Sequence, residues 1–130
     1  MLPLPRFTLV RNNHMAAIIK NPAQIQSLVQ RTVERGKEIV NLLGSGSAYF
    51  APSAAIAQIV NAIVNDEKKT LGVSAYLDGE YGLKDICVGV PCIIGAGGIG
   101  KIVELDLDPQ EKKTFFESAE SIRKLNTILD

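Results

Sequence analysis

Ile86–Asp108 reads ICVGVPCIIGAGGIGKIVELDLD. Its interpretation decides the fold. Gly95–Gly100, GAGGIG, matches the G-x-G-x-x-G fingerprint of dinucleotide-binding domains and follows an apolar, β-branched run that reads as a strand. That fingerprint works only when a helix opens after the last glycine and turns its N-terminus to a pyrophosphate. Here the chain continues as KIVELDLD, which alternates like a strand and stops at Pro109. Strand, glycine turn and strand make a hairpin. Ile86–Ile94 is therefore expected as a strand buried on both faces, with a bulge or bend at Pro91. Ile102, Val103, Leu105 and Leu107 mark the strand after the turn.

Upstream, Leu71–Leu77 (LGVSAYL) is a further strand, and Asp78–Asp85 (DGEYGLKD) is a glycine-punctuated loop. This loop lacks the carboxylate density of a calcium site. Downstream, Asp108-Pro109-Gln110-Glu111 is a capping-box pattern. It opens a helix running towards Leu129, with Phe115, Ala119, Ile122, Leu125 and Leu129 on its buried stripe.

The amino-terminal half is helical. Asn21 and Pro22 suit an N-cap and first helical residue. Ile25, Leu28, Val29, Thr32, Gly36, Ile39, Val40 and Leu43 then recur at helical spacing. Gly36 either admits a close neighbour or marks a bend, and Gly44 ends the helix. The charged side, Gln30 to Glu38, is a solvated face or a partner surface. Ser47 is a candidate N-cap for the next helix, with Pro52 in its first turn. Ala51–Val64 is apolar on nearly every side, which predicts a central, buried helix. Met1–Val10 reads as an extended edge, and Arg11–His14 (RNNH) as a polar turn. An apolar extended run as the opening of a domain suggests that natural sequence precedes Met1.

The totals exclude several functions. The 130 residues suggest one domain with a real core, and 14 basic residues balance 14 acidic ones. No basic stripe with interleaved aromatics points to nucleic acid, and no apolar run is long enough for a membrane helix. The start has no signal-peptide pattern. Cys87 and Cys92 are too few for a disulfide framework and, on one strand, roughly 16 Å apart; reduced thiols suit a cytoplasmic protein. With one histidine, they match no zinc pattern. His14, the single histidine, has no Ser, Cys or carboxylate partner at a recognisable spacing and reads as a surface residue rather than a general base. No catalytic set and no metal site is expected from these residues.

Several segments, in order, resemble a known family: PLPRF, the helix ending EIVNLL, GSAYFAP, AYLDGEYG, KDICVGVPCIIG and KIVELDLDPQEKKTF. They are similar to the C-terminal half of NAD-dependent malate dehydrogenases of the lactate-dehydrogenase-like type. GSAYFAP resembles the family's GSAYYAP, whereas RNNH departs from its usual Gly-Ile-Pro turn. The resemblance implies an α+β fold: a mainly antiparallel sheet of three strands plus the leading strand, packed by helices. It implies that residues 1–130 form the C-terminal, substrate-side domain, without the Rossmann NAD-binding domain. It places Gly46, Ser47 and Ala48 on the substrate-pocket wall and Met1 near the nicotinamide. The family's histidine lies in a His-Gly-Asp segment ahead of the position of Met1, and the substrate-clamping arginines lie further upstream. The implied cofactor is NAD, held mainly by the missing domain; the implied substrates are malate and oxaloacetate, in a homo-oligomer. The fragment alone is expected to be inactive. Lactate dehydrogenase is the near alternative. A self-standing interaction or oligomerisation module, and a small nucleotide-binding protein using GAGGIG, are readings of other classes.

Overall fold

The computed structural model describes residues 5–10 and 13–126. They fall in two compact units, which divide between Pro52 and Ser53.

In the first unit, β1 (Leu9–Val10) pairs antiparallel with β2 (Asn13–His14), and α1 (Met15–Ile18) follows. The leading strand thus forms its own small ladder and does not join the main sheet. Pro5–Phe7 are in a turn, not extended. The start of the expected edge, residues 1–4 with Met1, lies outside the described residues. Helix α2 (Pro22–Leu43) begins as its sequence predicts: the Asn21 side chain accepts the Ala23 N–H at 3.0 Å, and Pro22 opens the first turn. It ends at Gly44, whose φ of +70° admits the left-handed cap and whose N–H bonds the Val40 carbonyl at 3.1 Å. Gly36 neither bends the helix nor admits a neighbour; nothing lies within 4 Å of where its Cβ would be. No residue of α2 is fully buried, so its amphipathic stripe is only partly covered in this chain.

In the second unit, β3 (Lys69–Asp78), β4 (Lys84–Gly95) and β5 (Gly98–Ile102) form an antiparallel sheet in the order β3-β4-β5. Gly95 faces Gly98 across the Ala96–Gly97 turn, so GAGGIG is a hairpin. Strand β4 alternates buried with exposed or half-exposed positions, not apolar burial on both faces. An antiparallel sheet needs cover on one side only. Ala75, Leu77, Ile86, Val88, Val90, Cys92 and Ile94 fill that side, and Ala62 and Ala119 complete the core from two helices, α3 (Phe50–Val64) and α4 (Pro109–Asn126).

Pro91 makes no bulge; it sits opposite Gly72 in regular register, and the irregularity falls between Ile93 and Ile94. Its carbonyl accepts the Val103 N–H at 2.8 Å, so its missing N–H also lies on the β5 side, where that strand has already ended. The Val103 carbonyl instead accepts the Tyr81 hydroxyl at 2.7 Å. The strand after the turn therefore stops at Ile102, short of the predicted Leu105 and Leu107.

Helix α4 carries the predicted capping box: Asp108 Oδ1 accepts the Gln110 and Glu111 N–H groups, and Glu111 returns a carboxylate to the Asp108 N–H, each at 2.9 Å. Ala119 is buried and Phe115 and Ile122 half-buried, whereas Leu125 is 63% exposed; Leu129 lies outside the described residues.

Helix α3 departs furthest from expectation. It is apolar, yet Ala62 is its single buried residue. Ile56 is 62% and Val64 75% exposed. One face of a helix is all that one sheet can cover, and most of the remaining apolar surface of α3 is exposed.

Candidate functional site

The candidate pocket wall is the connection between α2 and α3, Gly44–Tyr49. Gly44 and Gly46 both hold positive φ, +70° and +93°, which side-chain-bearing residues rarely adopt. A Cβ on Gly46 would also lie 3.2 Å from the Tyr49 hydroxyl. The tight path is closed by the Tyr49 N–H, which bonds the Ser47 carbonyl at 3.1 Å. Gly46 and Ser47 are exposed and Ala48 half-buried. The structure thus puts the three predicted wall residues on one glycine-shaped turn. Ser47 is not the N-cap, because the helix starts at Phe50 and its cap position falls at Tyr49. Pro52 does lie in the first turn, where its missing N–H leaves no bond unmade.

This turn has small residues and backbone, hydroxyls at Ser45, Ser47 and Tyr49, and no carboxylate, amine or imidazole. His14 is exposed on β2, in keeping with a surface histidine. Met1 lies outside the described residues. No group of His, Cys, Asp and Glu able to hold a metal ion occurs among the described residues. Neither cysteine is in a disulfide: Cys92 is buried, which pushes its thiol pKa up, and Cys87 is exposed.

The GAGGIG turn does not fit a pyrophosphate. A strand, not a helix, follows it, so no row of helix N–H groups faces a ligand. The Ala96 N–H is already taken by Asp66 Oδ1 at 2.9 Å.

The DGEYG loop is held rather than free. The Tyr81 N–H donates to Glu104 at 2.7 Å, and its hydroxyl accepts the Leu105 N–H at 3.0 Å besides donating to Val103. Its ring packs 5.0 Å from that of Phe115. Burial holds the Tyr81 hydroxyl above the usual tyrosine range. This clamp was missed at the sequence level because its partners lie more than twenty residues away. Glu80 is drawn below the usual carboxylate range by backbone N–H groups, its own and that of Asp78.

The comparisons with known proteins agree with this picture. The lactate/malate dehydrogenase, alpha/beta C-terminal domain family matches residues 9–128. The malate dehydrogenase of Roseiflexus sp. (strain RS-1) is 48% identical over 122 residues, 94% of this chain and 39% of that protein. The malate dehydrogenase of Desulforudis audaxviator is 48% identical over 131 residues, all of this chain and 42% of that protein. Among solved structures, the malate dehydrogenase of Salinibacter ruber superposes with a TM-score of 0.88 at 44% identity, over 95% of this chain and 40% of its own. The lactate dehydrogenase of Eimeria maxima, solved with NADH and oxamate, gives 0.87 at 34% identity, over 99% of this chain and 42% of its own. The chain thus spans about two-fifths of the length of the relatives it matches. With the hairpin, the capped helix α4 and the antiparallel sheet in place, the chain belongs to the lactate/malate dehydrogenase C-terminal domain family.

Proposed function

We propose that this chain is the substrate-side domain of an NAD-dependent malate dehydrogenase, in which a hydride passes between NAD and the 2-hydroxy carbon of malate. The observation that carries the reading is 48% identity to malate dehydrogenases across essentially the whole chain. Gly46, Ser47 and Ala48 form the pocket wall in this reading, and Met1 approaches the nicotinamide. The proton is handled by a histidine outside this chain, and NAD is held mainly by a Rossmann domain, also outside it. The complete enzyme is a cytoplasmic homo-oligomer without nucleic-acid or membrane partners. No described helix is long and apolar enough to cross a membrane. Lactate dehydrogenase is the second reading, favoured by the likeness to the Eimeria maxima enzyme, but at lower identity than the Salinibacter ruber malate dehydrogenase.

A chimera tests this. The chain replaces the matching part of the Salinibacter ruber enzyme, and NADH oxidation is followed with oxaloacetate and with pyruvate. Faster turnover of oxaloacetate is expected. A preference for pyruvate favours the second reading; a soluble, folded chimera inert with both refutes the assignment. The chain alone is expected to show no rate above buffer.

A further inference from the structure

We propose that Tyr49 is a positioning residue for the candidate pocket wall: its ring holds Gly46 on a left-handed path and so fixes where Ser47 and Ala48 are presented. The inference rests on the wall assignment in the malate dehydrogenase reading above and adds a residue to it.

The ends of the connection are fixed by the helices. Gly44 closes α2 through its N–H on the Val40 carbonyl, and α3 begins at Phe50. Between them Tyr49 makes two contacts back into the turn. Its N–H bonds the Ser47 carbonyl at 3.1 Å, which closes a three-residue turn centred on Ala48. Its ring lies over the face of Gly46 on which a side chain would stand. A Cβ there would be 3.2 Å from the Tyr49 hydroxyl oxygen and 3.7 Å from Cε2. Glycine is thus required at position 46 twice, by its φ of +93° and by the ring. The ring does not fill a core, because Tyr49 is 62% exposed.

The two contacts hold different parts of the wall. The main-chain bond pins Ser47 and Ala48 relative to the start of α3. The ring acts one step earlier, on the residue with the most backbone freedom. A glycine visits positive and negative φ about equally when nothing selects between them. Rotation at Gly46 would carry Ser47 and Ala48 to another place, and the ring over Gly46 opposes it. The turn holds no carboxylate, amine or imidazole, so loosening it weakens substrate binding and leaves the chemical step to groups elsewhere in the enzyme.

The chimera described above is the test protein. Tyr49→Ala should raise KM for the preferred 2-oxo acid about five- to tenfold, with kcat within about twofold and an unchanged thermal midpoint. Tyr49→Phe keeps the ring edge and should return KM close to the parent value. Gly46→Ala should also raise KM, but less so in the Tyr49→Ala background, where the added methyl no longer meets the ring. Independently of activity, the 130-residue chain should show a nuclear Overhauser contact between the Tyr49 ring and the Gly46 Hα protons. Four results would each overturn the inference and leave the malate dehydrogenase reading standing: no such contact, a parental KM in Tyr49→Ala, a loss confined to kcat or matched by a lower thermal midpoint, or strictly additive effects at positions 46 and 49. A folded chimera inert with both acids overturns that reading and this inference with it.

Discussion

Gly95→Ala should destabilise the chain by about 0.5–1.5 kcal/mol, through one specific side chain. A Cβ at position 95 would lie 2.6 Å from Asp66 Oδ1, closer than any real carbon–oxygen contact. The backbone of β4 need not yield, since the obstacle is the end of an exposed carboxylate that can swing away. What is lost is the bond it makes: Asp66 Oδ1 accepts the Ala96 N–H at 2.9 Å and ties the hairpin turn to the end of α3. A hydrogen bond to a charged group contributes about 1.5–3 kcal/mol, and solvent exposure places this one at the low end. Alanine restores up to about 0.5–1 kcal/mol through its smaller entropy loss in a strand. The assay is a double-mutant cycle by urea unfolding with Asp66→Gly, which removes the carboxylate and tolerates the φ of +47° at that position. In the Asp66→Gly background, Gly95→Ala should become neutral or stabilising. An equal cost in both backgrounds would show that the Asp66 contact is not the cause.

Asp108→Ala should cost about 1–2 kcal/mol, since it frees the Gln110 and Glu111 N–H groups at the start of α4; thermal unfolding measures it. Tyr81→Phe should cost about 1–3 kcal/mol, because it leaves the Val103 carbonyl and the Leu105 N–H without the hydroxyl that joins them. Its pH signature has a definite sign. Burial raises the folded-state tyrosine pKa, so the contribution is full below the unfolded value of about 10 and is lost as pH rises through the folded one. Alkaline unfolding of the Phe variant should be correspondingly flatter above pH 10. Glu80 acts in the opposite direction: its lowered pKa gives a contribution present above the usual carboxylate range and lost as pH falls, so Glu80→Gln should flatten the acid limb.

Local signals carried most of the fold. Asn21-Pro22, Gly44 and the Asp108–Glu111 box each act within a few residues, and each element edge they define appears where expected. The choice of hairpin over cofactor loop was equally local, because the residues after Gly100 alternate. What escaped depends on partners far along the chain. Tyr81, which no window around KIVELDLD contains, ends β5 by capturing the Val103 carbonyl. The burial of α3 was over-read for a related reason. Its apolar composition marks no side, and in the structure Ala62 is buried, Ile59 half-buried and the rest exposed. The candidate wall was legible only as a pattern, GSAYFAP; the left-handed φ of Gly46 explains why the pattern opens on glycine, but no arrangement of acid and base could be read there.

Pro91 has a consequence for the order in which the sheet assembles. A hairpin as apolar as Ile86–Ile102 has little in its side chains to forbid misalignment, and slipped pairings compete during folding. In the native alignment the position that cannot donate falls one residue past the end of β5, so no inter-strand bond is missing. A slip of two residues that sets Pro91 against Lys101 would bring that barren position inside the ladder and forfeit a bond. The proline thus serves as a stop for strand sliding, favouring the one alignment from which Val103 is left to meet Tyr81 and the chain is released towards α4.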